Sequence, residues 1–356
     1  MARLAGFDVP RLGMGTMALA IEGRPSATTG DLESGPSGRE LAIATIHAGL
    51  DAGVRCLDTA WSYYLPGRPP FGSIDDFGYG EQLVRDALRS WDGPREQVLV
   101  ATKTGYLRSC DISGEAMLPA VGDEQGVASC AESGAEQDAE LSSERRPVYQ
   151  AAGSRYGWVP DGRPQTIARQ ARESAQRLGV EALDLLYSHG PDPTIPYEEQ
   201  MNAFRQLVDD GVAKHVGISR VNTAQIDIAR NILGDRLVTV QNQFSPSYPD
   251  PERTLEYCRE LGLAFVCWSP LGGFLDPFDQ HAYDPFRAVA EVHGCSYQRV
   301  ALAWEMAQYE RLYTIPSARN PHEIRDSFAA SAMVLSADEL AMLGRSVDGD
   351  RFAPAD

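Results

Sequence analysis

The stretch VRCLDTAWSYY, residues 54–64, holds a short hydrophobic strand that ends in the charged side chain of Asp58. The same design returns along the chain, because VLVATK ends at Lys103 and LDLLYSH ends at His189. Later apolar runs are closed by further polar or aromatic side chains: Ser219, Gln241, Trp268 and Ser317. Helix-like stretches separate these runs. Parallel barrel strands end on one face, so we expect a single mouth to collect these side chains together with Tyr63.

Eight apolar runs have strand length and no strict alternation, which is typical of parallel strands buried on both faces. The predicted strands lie near residues 11–15, 54–58, 98–103, 183–188, 214–218, 237–242, 263–268 and 312–316. The predicted helices lie over residues 38–53, 165–179, 197–211 and 251–262. The segment 320–347 supplies two more, NPHEIRDSFAASAM and SADELAMLGRS, the second with a Ser-Ala-Asp-Glu capping start. Together they predict an α/β fold, a (β/α)8 TIM barrel, as one domain over residues 1–356.

Two segments break this rhythm and predict enlarged loops near residues 64–80 and 105–163. The first is rich in Gly and Pro, and the middle of the second is small, polar and acidic. Both follow strands on the active-site side, so they form either mobile surface excursions or a cover for a substrate pocket. A pocket role would suit a large or specific substrate, and deletion of most of 111–145 tests it.

Composition limits the partners. The formal net charge of −18 argues against nucleic acid and anionic membranes, but not against a phosphate-bearing cofactor held by local donors. No apolar run approaches the roughly 18 residues of a membrane helix, and the start MARLAGFDVPRLG has no signal-peptide core. The six cysteines form no CxxC pair, which predicts reduced thiols and a cytoplasmic protein. The His and Cys spacings predict no metal site.

The residues at the expected mouth suit proton transfer. A tyrosine, with an unperturbed pKa of about 10, is a poor acid near neutrality unless a nearby ammonium lowers that pKa. Lys103 could do this for Tyr63, and Asp58 could supply the counter-charge that a buried lysine needs. His189 could orient a substrate oxygen. This set favours a relay for a carbonyl or alcohol over a nucleophilic triad.

An ordered series of motifs resembles the aldo-keto reductase family, in bacterial members with long loops, from residue 11 to about residue 344. The series comprises RLGMGTM, LDTAWSYY, GYGEQLVRDALR, VLVATK, RLGVEALDLLYSHGPDP, DDGVAKHVGIS, VQNQFS, FVCWSPLGG and TIPSARNPHEI. The resemblance implies that Tyr63 is the general acid, that Lys103 paired with Asp58 depresses its pKa, and that His189 orients the carbonyl. It also implies a small-molecule carbonyl substrate and, by family default, a monomer, with an oligomer left open.

The resemblance further implies a nicotinamide cofactor site. Ser219 and Gln241 would hold the carboxamide, and Trp268 would stack on the nicotinamide ring. The pyrophosphate would lie along Ser269, Pro270, Leu271 and Gly272, and the adenosine end along Ser317, Ala318, Arg319, Glu323 and Ser327. From the first strand, Gly15, Thr16 and Met17 would approach the cofactor.

Several positions depart from the family pattern. Arg220 stands where an asparagine is usual, which gives it the alternative of reaching the pyrophosphate. Ser317 and Glu323 replace a lysine and an arginine, so Arg319 is the best remaining cation for a 2′-phosphate. We therefore expect NADPH in preference to NADH. Tyr64 replaces a common glycine and is expected to be a pocket wall.

Three functions remain open on the sequence. The leading hypothesis is an NADPH-dependent reductase of an aldehyde, ketone or ketosugar, with secondary metabolism as one setting. A second is a cofactor-binding, redox-sensing regulatory subunit with little turnover. A third is an aldolase that forms a Schiff base on Lys103, which would leave the nicotinamide-side series unexplained.

Overall fold

The computed structural model describes residues 2–21, 35–64, 78–108, 149–150, 157–273 and 279–352. The strands within these ranges are β1 (Ala2–Leu4), β2 (Phe7–Val9), β3 (Met14–Gly15), β4 (Cys56–Asp58), β5 (Leu99–Thr104), β6 (Tyr106–Arg108), β7 (Tyr149–Gln150), β8 (Gly157–Pro160), β9 (Leu185–Ser188), β10 (Val216–Ser219), β11 (Leu237–Gln243), β12 (Ala264–Trp268) and β13 (Leu312–Thr314). The helices are α1 (Met17–Ala20), α2 (Gly35–Ala52), α3 (Tyr79–Ser90), α4 (Pro164–Leu178), α5 (Tyr197–Asp209), α6 (Thr223–Leu233), α7 (Thr254–Leu261), α8 (Asp284–His293), α9 (Tyr297–Gln308), α10 (Pro321–Phe328) and α11 (Ala337–Asp348).

Eight parallel strands form the predicted barrel, in the order β13-β12-β11-β10-β9-β5-β4-β3. The two ends of this sheet meet, because Gly15 forms a parallel bridge with Ser317 and Gly13 donates its amide to the carbonyl of Thr314 at 2.9 Å. Gly15 must be small, since a Cβ there would lie 2.9 Å from the carbonyl oxygen of Ile315. The (β/α)8 prediction is confirmed, and each predicted strand is present with its ends shifted by a few residues.

The predicted helices are also present, and two of them have different bounds. Helix α7 begins at Thr254, because the Asp250 carboxylate accepts bonds from the Thr254 hydroxyl and the Leu255 amide, both at 2.8 Å. The two helices predicted within 320–347 are confirmed as α10 and α11, but the first ends at Phe328, where a 3₁₀ turn, Ala329–Ala332, follows it. The predicted capping start of α11 is confirmed as a reciprocal capping box. No helix in the described ranges has the length and apolar character needed to cross a membrane.

The core has two parts. A large apolar cluster lies between the strands and the surrounding helices. A second cluster inside the barrel includes Leu99, Leu185 and Ala264 near the beginnings of their strands, together with Leu4 and Val9 of the β1–β2 hairpin. The sequence did not predict this hairpin. It packs at the starting ends of the barrel strands, so polar chemistry is left to the opposite end.

The segment 105–163 contains structure that the sequence did not predict. Strand β8 pairs antiparallel with both β6 and β7 in a small three-stranded sheet. Most of this segment, including 111–145, and residues 65–77 of the other predicted loop lie outside the described residues. The pocket-covering role of both loops therefore stays a prediction.

Candidate active site

A cavity of about 820 Å³ lies at the ends of the barrel strands. It contains all four side chains expected to carry chemistry: Asp58, Tyr63, Lys103 and His189. From there it extends past the loop after β12 to the first turns of α9 and α10. The parallel strands explain this convergence, because Asp58 ends β4, Lys103 lies near the end of β5 and His189 directly follows β9.

Asp58 and Lys103 form a buried ion pair, with only 3% and 2% of their surfaces exposed. The Lys103 ammonium also donates to the Thr59 carbonyl at 2.9 Å and to the Tyr63 hydroxyl at 3.5 Å. Burial lowers the pKa of Lys103, but the charge of Asp58 and then that of Tyr63 oppose it, and the net pKa is raised. Lys103 is therefore a stable ammonium, which argues against the neutral amine that a Schiff-base nucleophile needs.

The net pKa of Tyr63 differs from the sequence-based expectation. Burial raises this pKa above its usual value, and the opposing charge of Lys103 does not cancel that effect. The lowering influence of Lys103 is thus present but smaller than the desolvation of a phenol that is 7% exposed. Tyr63 remains a protonated phenol that can give a proton.

His189 is held on three sides. The Ser62 hydroxyl lies 3.4 Å from its Nδ1, Tyr106 stacks on its ring at 4.6 Å between ring centres, and Tyr63 meets it edge-on at 5.7 Å. Gly190 is required beside it, since a Cβ there would collide with the Tyr106 hydroxyl. Burial lowers the pKa of His189 well below its usual value, and the charges of Lys103 and Arg220 lower it further. The neutral ring can orient a substrate oxygen by hydrogen bonding.

The two expected carboxamide contacts already have protein partners. Gln241 donates its amide to the second carboxylate oxygen of Asp58 at 2.9 Å, and Ser219 donates its hydroxyl to the Gln241 carbonyl at 2.6 Å. Gln241 therefore fixes Asp58 from the side opposite Lys103. This contact was not predicted, because it joins two strands far apart in sequence.

Most predicted cofactor residues line the same cavity: Gly15, Met17, Ser219, Arg220, Gln241, Trp268, Ser269, Pro270, Leu271, Gly272, Ser317, Arg319, Glu323 and Ser327. Thr16 and Ala318 do not line it. Thr16 is fully buried and donates its hydroxyl to the Asp58 carbonyl at 2.9 Å, and Ala318 is 1% exposed. Both lie behind the wall, where they shape it without reaching the cavity.

At the far end of the cavity, Glu323 is tied to its own loop. Its carboxylate accepts from the Arg319 amide at 2.8 Å and from the Asn320 side chain at 2.9 Å, and it lies 3.9 Å from the Arg319 guanidinium. Nearby, an ion pair between Arg299 and Asp326 joins α9 to α10 on the same wall. The sequence did not predict this second pair, since Arg299 belongs to no motif.

Near the catalytic end, β6 and β8 supply the aromatic wall of Tyr106 and Trp158, against which Met17 packs. The irregular stretch between residues 105 and 163 gave no sign of this wall. Arg220 lies above it, with its guanidinium carbon 4.8 Å from the Trp268 ring centre and 5.8 Å from that of Tyr106. Within the described residues, no group of three or more His, Cys, Asp or Glu side chains could hold a metal ion.

Comparison with known proteins identifies relatives of this chain. The model of the Aldo/keto reductase family matches residues 11–348. An uncharacterised oxidoreductase of Schizosaccharomyces pombe is 25% identical over 357 residues, covering 98% of this chain and 91% of the relative. Pyridoxine 4-dehydrogenase of Escherichia coli is 24% identical over 343 residues, covering 94% of each chain.

A solved structure, an aldo-keto reductase from Klebsiella pneumoniae in complex with NADPH, has the same fold. Its TM-score is 0.62 at 19% identity, and the match covers 98% of this chain and 95% of that one.

Proposed function

The chain belongs to the aldo/keto reductase family of oxidoreductases, and from this premise we propose that it uses NADPH to reduce an aldehyde, ketone or ketosugar, with Tyr63 as general acid. The observation that carries the proposal is the contact of the Tyr63 hydroxyl with the Lys103 ammonium, beside Asp58 and facing the same cavity as His189. This arrangement gives one proton donor, one charge to stabilise the resulting phenolate, and one hydrogen-bonding ring for the carbonyl oxygen.

The cavity suits a dinucleotide in size and in donors. Its volume falls within the range of cofactor sites, and it extends from Tyr63 to two arginines, Arg319 and Arg299. In NADH-specific sites an acidic side chain binds the ribose hydroxyls of the cofactor. Here the Glu323 carboxylate instead accepts hydrogen bonds from its own loop. This engagement, the two arginines and the NADPH complex of the K. pneumoniae relative support NADPH. When bound, NADPH supplies the hydride.

The residues of this chain supply the proton. Because burial raises the pKa of Tyr63, its hydroxyl is protonated at neutral pH and can donate to the oxygen of the developing alkoxide. Lys103 then stabilises the phenolate. A hydroxyl of Ser62 that donates to Nδ1 of His189 leaves the Nε2 proton for the carbonyl oxygen. Reduction is therefore the favoured direction, since oxidation would begin from the phenolate.

Further features of the protein belong to this proposal. A substrate larger than a simple aldehyde, such as a ketosugar or a secondary metabolite, is supported by the cavity volume of about 820 Å³ and its aromatic wall. We keep a single domain and a monomer as working hypotheses. A reducing, cytoplasmic location is supported by the free thiols of the four described cysteines: Cys56, Cys258, Cys267 and Cys295.

The test is a fluorescence titration with NADPH and NADH, followed by turnover assays on aldehydes, ketones, ketosugars and pyridoxal. We expect both cofactors to quench tryptophan fluorescence, with a lower Kd for NADPH than for NADH. Part of the quenching should be lost in Trp268→Phe. Tight binding without turnover of any carbonyl would favour the regulatory subunit. A substrate trapped on Lys103 by borohydride, without NADPH binding, would favour the aldolase.

A further inference from the structure

We propose that Arg220 binds a carboxylate of the substrate, so that the enzyme selects carbonyl compounds that also carry an anionic group. This inference rests on the proposed reductase function and defines its substrate class. It moves Arg220 from the cofactor, where sequence reasoning assigned it, to the substrate.

The position of Arg220 relative to His189 carries the argument. Arg220 directly follows β10 and lines the same cavity as Tyr63 and His189. Its guanidinium carbon lies 5.8 Å from the ring centre of Tyr106, which in turn stacks on His189 at 4.6 Å. The guanidinium and the imidazole are thus both neighbours of the Tyr106 ring, and both line the cavity that holds Tyr63. A substrate whose carbonyl oxygen faces His189 would therefore present a second group to Arg220.

The backbone holds Arg220 in place. Its φ of +58° lies in the left-handed region, which is unfavourable for a residue other than glycine. The neighbouring bonds enforce this conformation: Asn242 accepts from the Val221 amide at 3.1 Å and donates to the Val221 carbonyl at 2.7 Å. Such strain persists where the surroundings determine it and is concentrated at ligand sites. The side chain is therefore pre-organised over the cavity.

The charges on the cavity wall favour an anion at this end. Among the described lining residues, each of the three carboxylates is paired with another cation: Asp58 with Lys103, Glu323 with Arg319, and Asp326 with Arg299. Arg220 adds a further positive charge, which lowers the pKa of both His189 and Tyr63. Arginine can lie with its face on an aromatic ring while its N–H edge binds a carboxylate, so the contact of Arg220 with Trp268 at 4.8 Å is compatible with carboxylate binding.

The aromatic wall in the same cavity suits a ring. Tyr106 and Trp158 form a buried aromatic cluster, with Met17 and Trp268 packed against it. All four line the cavity. Planar or cyclic substrates bury apolar area well against such faces. The expected substrate therefore combines a carbonyl for Tyr63, a ring for this wall and a carboxylate for Arg220.

The test uses 4-carboxybenzaldehyde and its methyl ester, methyl 4-formylbenzoate, which differ in charge but share the ring and the aldehyde. We expect the wild-type protein with NADPH to have the higher kcat/KM for the acid. In Arg220→Gln this preference should fall about ten- to a hundredfold, the value of one charge-assisted hydrogen bond. Arg220→Lys should retain part of it, because lysine keeps the charge but loses the bidentate fork.

Controls separate the substrate from the cofactor. The Kd for NADPH, measured by fluorescence in the same variants, should be unchanged. Arg236→Gln changes an exposed ion pair with Asp209 and should leave kcat/KM for both aldehydes unchanged. A parallel loss on both aldehydes together with weaker NADPH binding would place Arg220 on the cofactor and overturn the inference. Equal wild-type use of acid and ester would overturn it as well.

A binding measurement keeps the two proposals distinguishable if neither aldehyde is reduced. Calorimetry would compare benzoate with terephthalate on protein saturated with NADP⁺, because terephthalate adds a second carboxylate across one ring. Extra affinity for terephthalate that disappears in Arg220→Gln would support the anion site while the proposed reductase function failed. Unchanged affinity for terephthalate in Arg220→Gln would refute the anion site itself.

Discussion

The two ends of the cavity contain ion pairs of very different burial. At the catalytic end, Asp58 and Lys103 are 3% and 2% exposed, whereas at the far end Arg319 and Glu323 expose 38% of each side chain. A buried charge needs a partner in a fixed geometry, while a half-exposed pair is screened by water. Chemistry that depends on shifted pKa values therefore belongs to the first end, and adjustable recognition of a phosphate belongs to the second.

The largest effect is expected at the catalytic end, from Tyr63→Phe. Loss of the hydroxyl removes the proton donor, so kcat should fall about 10²- to 10⁴-fold while the Kd for NADPH stays nearly constant. Steady-state kinetics and fluorescence titration measure the two quantities. Tyr64→Phe is the matched control, since Tyr64 is also buried but packs edge-on against Trp61. Turnover that survived in Tyr63→Phe and vanished in Tyr64→Phe would reverse the assignment.

The burial of the catalytic pair is tested by Asp58→Asn. This change leaves the Lys103 ammonium without its counter-charge, and we expect a loss of about 3–5 kcal/mol in the free energy of unfolding. Asp209→Asn makes the same chemical change in the exposed pair with Arg236 and should cost no more than about 1 kcal/mol. Urea unfolding of the three proteins gives both values. Similar losses for the two variants would mean that burial does not decide the strength of these pairs.

A buried carboxyl that has no cationic partner within the described residues provides a third case. Glu305 on α9 is fully buried and accepts one bond from the Thr314 hydroxyl at 2.9 Å, and its other oxygen has no hydrogen-bond partner within the described residues. Burial raises the pKa of Glu305 well above its usual value, although the bond from Thr314 lowers it. The folded state therefore holds this proton more tightly than the unfolded state does. The bound proton contributes its full stabilisation at pH values below the pKa of Glu305 in the unfolded state. This contribution is lost as the pH rises through the pKa of Glu305 in the folded state.

Glu305→Gln removes this titration and keeps the shape of the side chain. From about pH 5 upward, the free energy of unfolding of the wild type should fall relative to that of the variant, by at most about 1.4 kcal/mol per pH unit. Urea unfolding at about pH 5 and about pH 8 measures the difference. Glu310→Gln, a change at an exposed residue, is the control, and its free energy of unfolding should change with pH as that of the wild type does. Parallel curves for Glu305→Gln would show that this carboxyl does not titrate differently on folding.

The comparison also explains what the sequence could predict. Strand ends follow from local apolar runs, so the convergence of Asp58, Lys103 and His189 was predictable from one chain. The aromatic wall was not, because Tyr106 and Trp158 meet through an antiparallel pairing across about fifty residues. The net pKa of Tyr63 was predicted with the wrong sign, since desolvation depends on burial depth, which no motif records.

The far end was the harder one to predict. Its motif residues Arg319 and Glu323 were expected to face a cofactor, but the sequence contained no sign that they bond to each other. Rotamer choice decides this contact, and a half-exposed side chain has several rotamers of similar energy. The Arg299–Asp326 pair joins two helices through residues that belong to no motif.

The smallest effect is expected at that end, from Arg319→Ala. The half-exposed guanidinium should contribute roughly 1 kcal/mol to a 2′-phosphate, so NADPH binding should weaken about fivefold while NADH binding changes little. Fluorescence titration with both cofactors measures the ratio. Arg299→Ala is the informative companion, because a larger loss of NADPH selectivity there would make the α9 arginine the main phosphate contact. Equal weakening of NADPH and NADH in Arg319→Ala would mean that Arg319 shapes the loop through Glu323 and does not contact the phosphate.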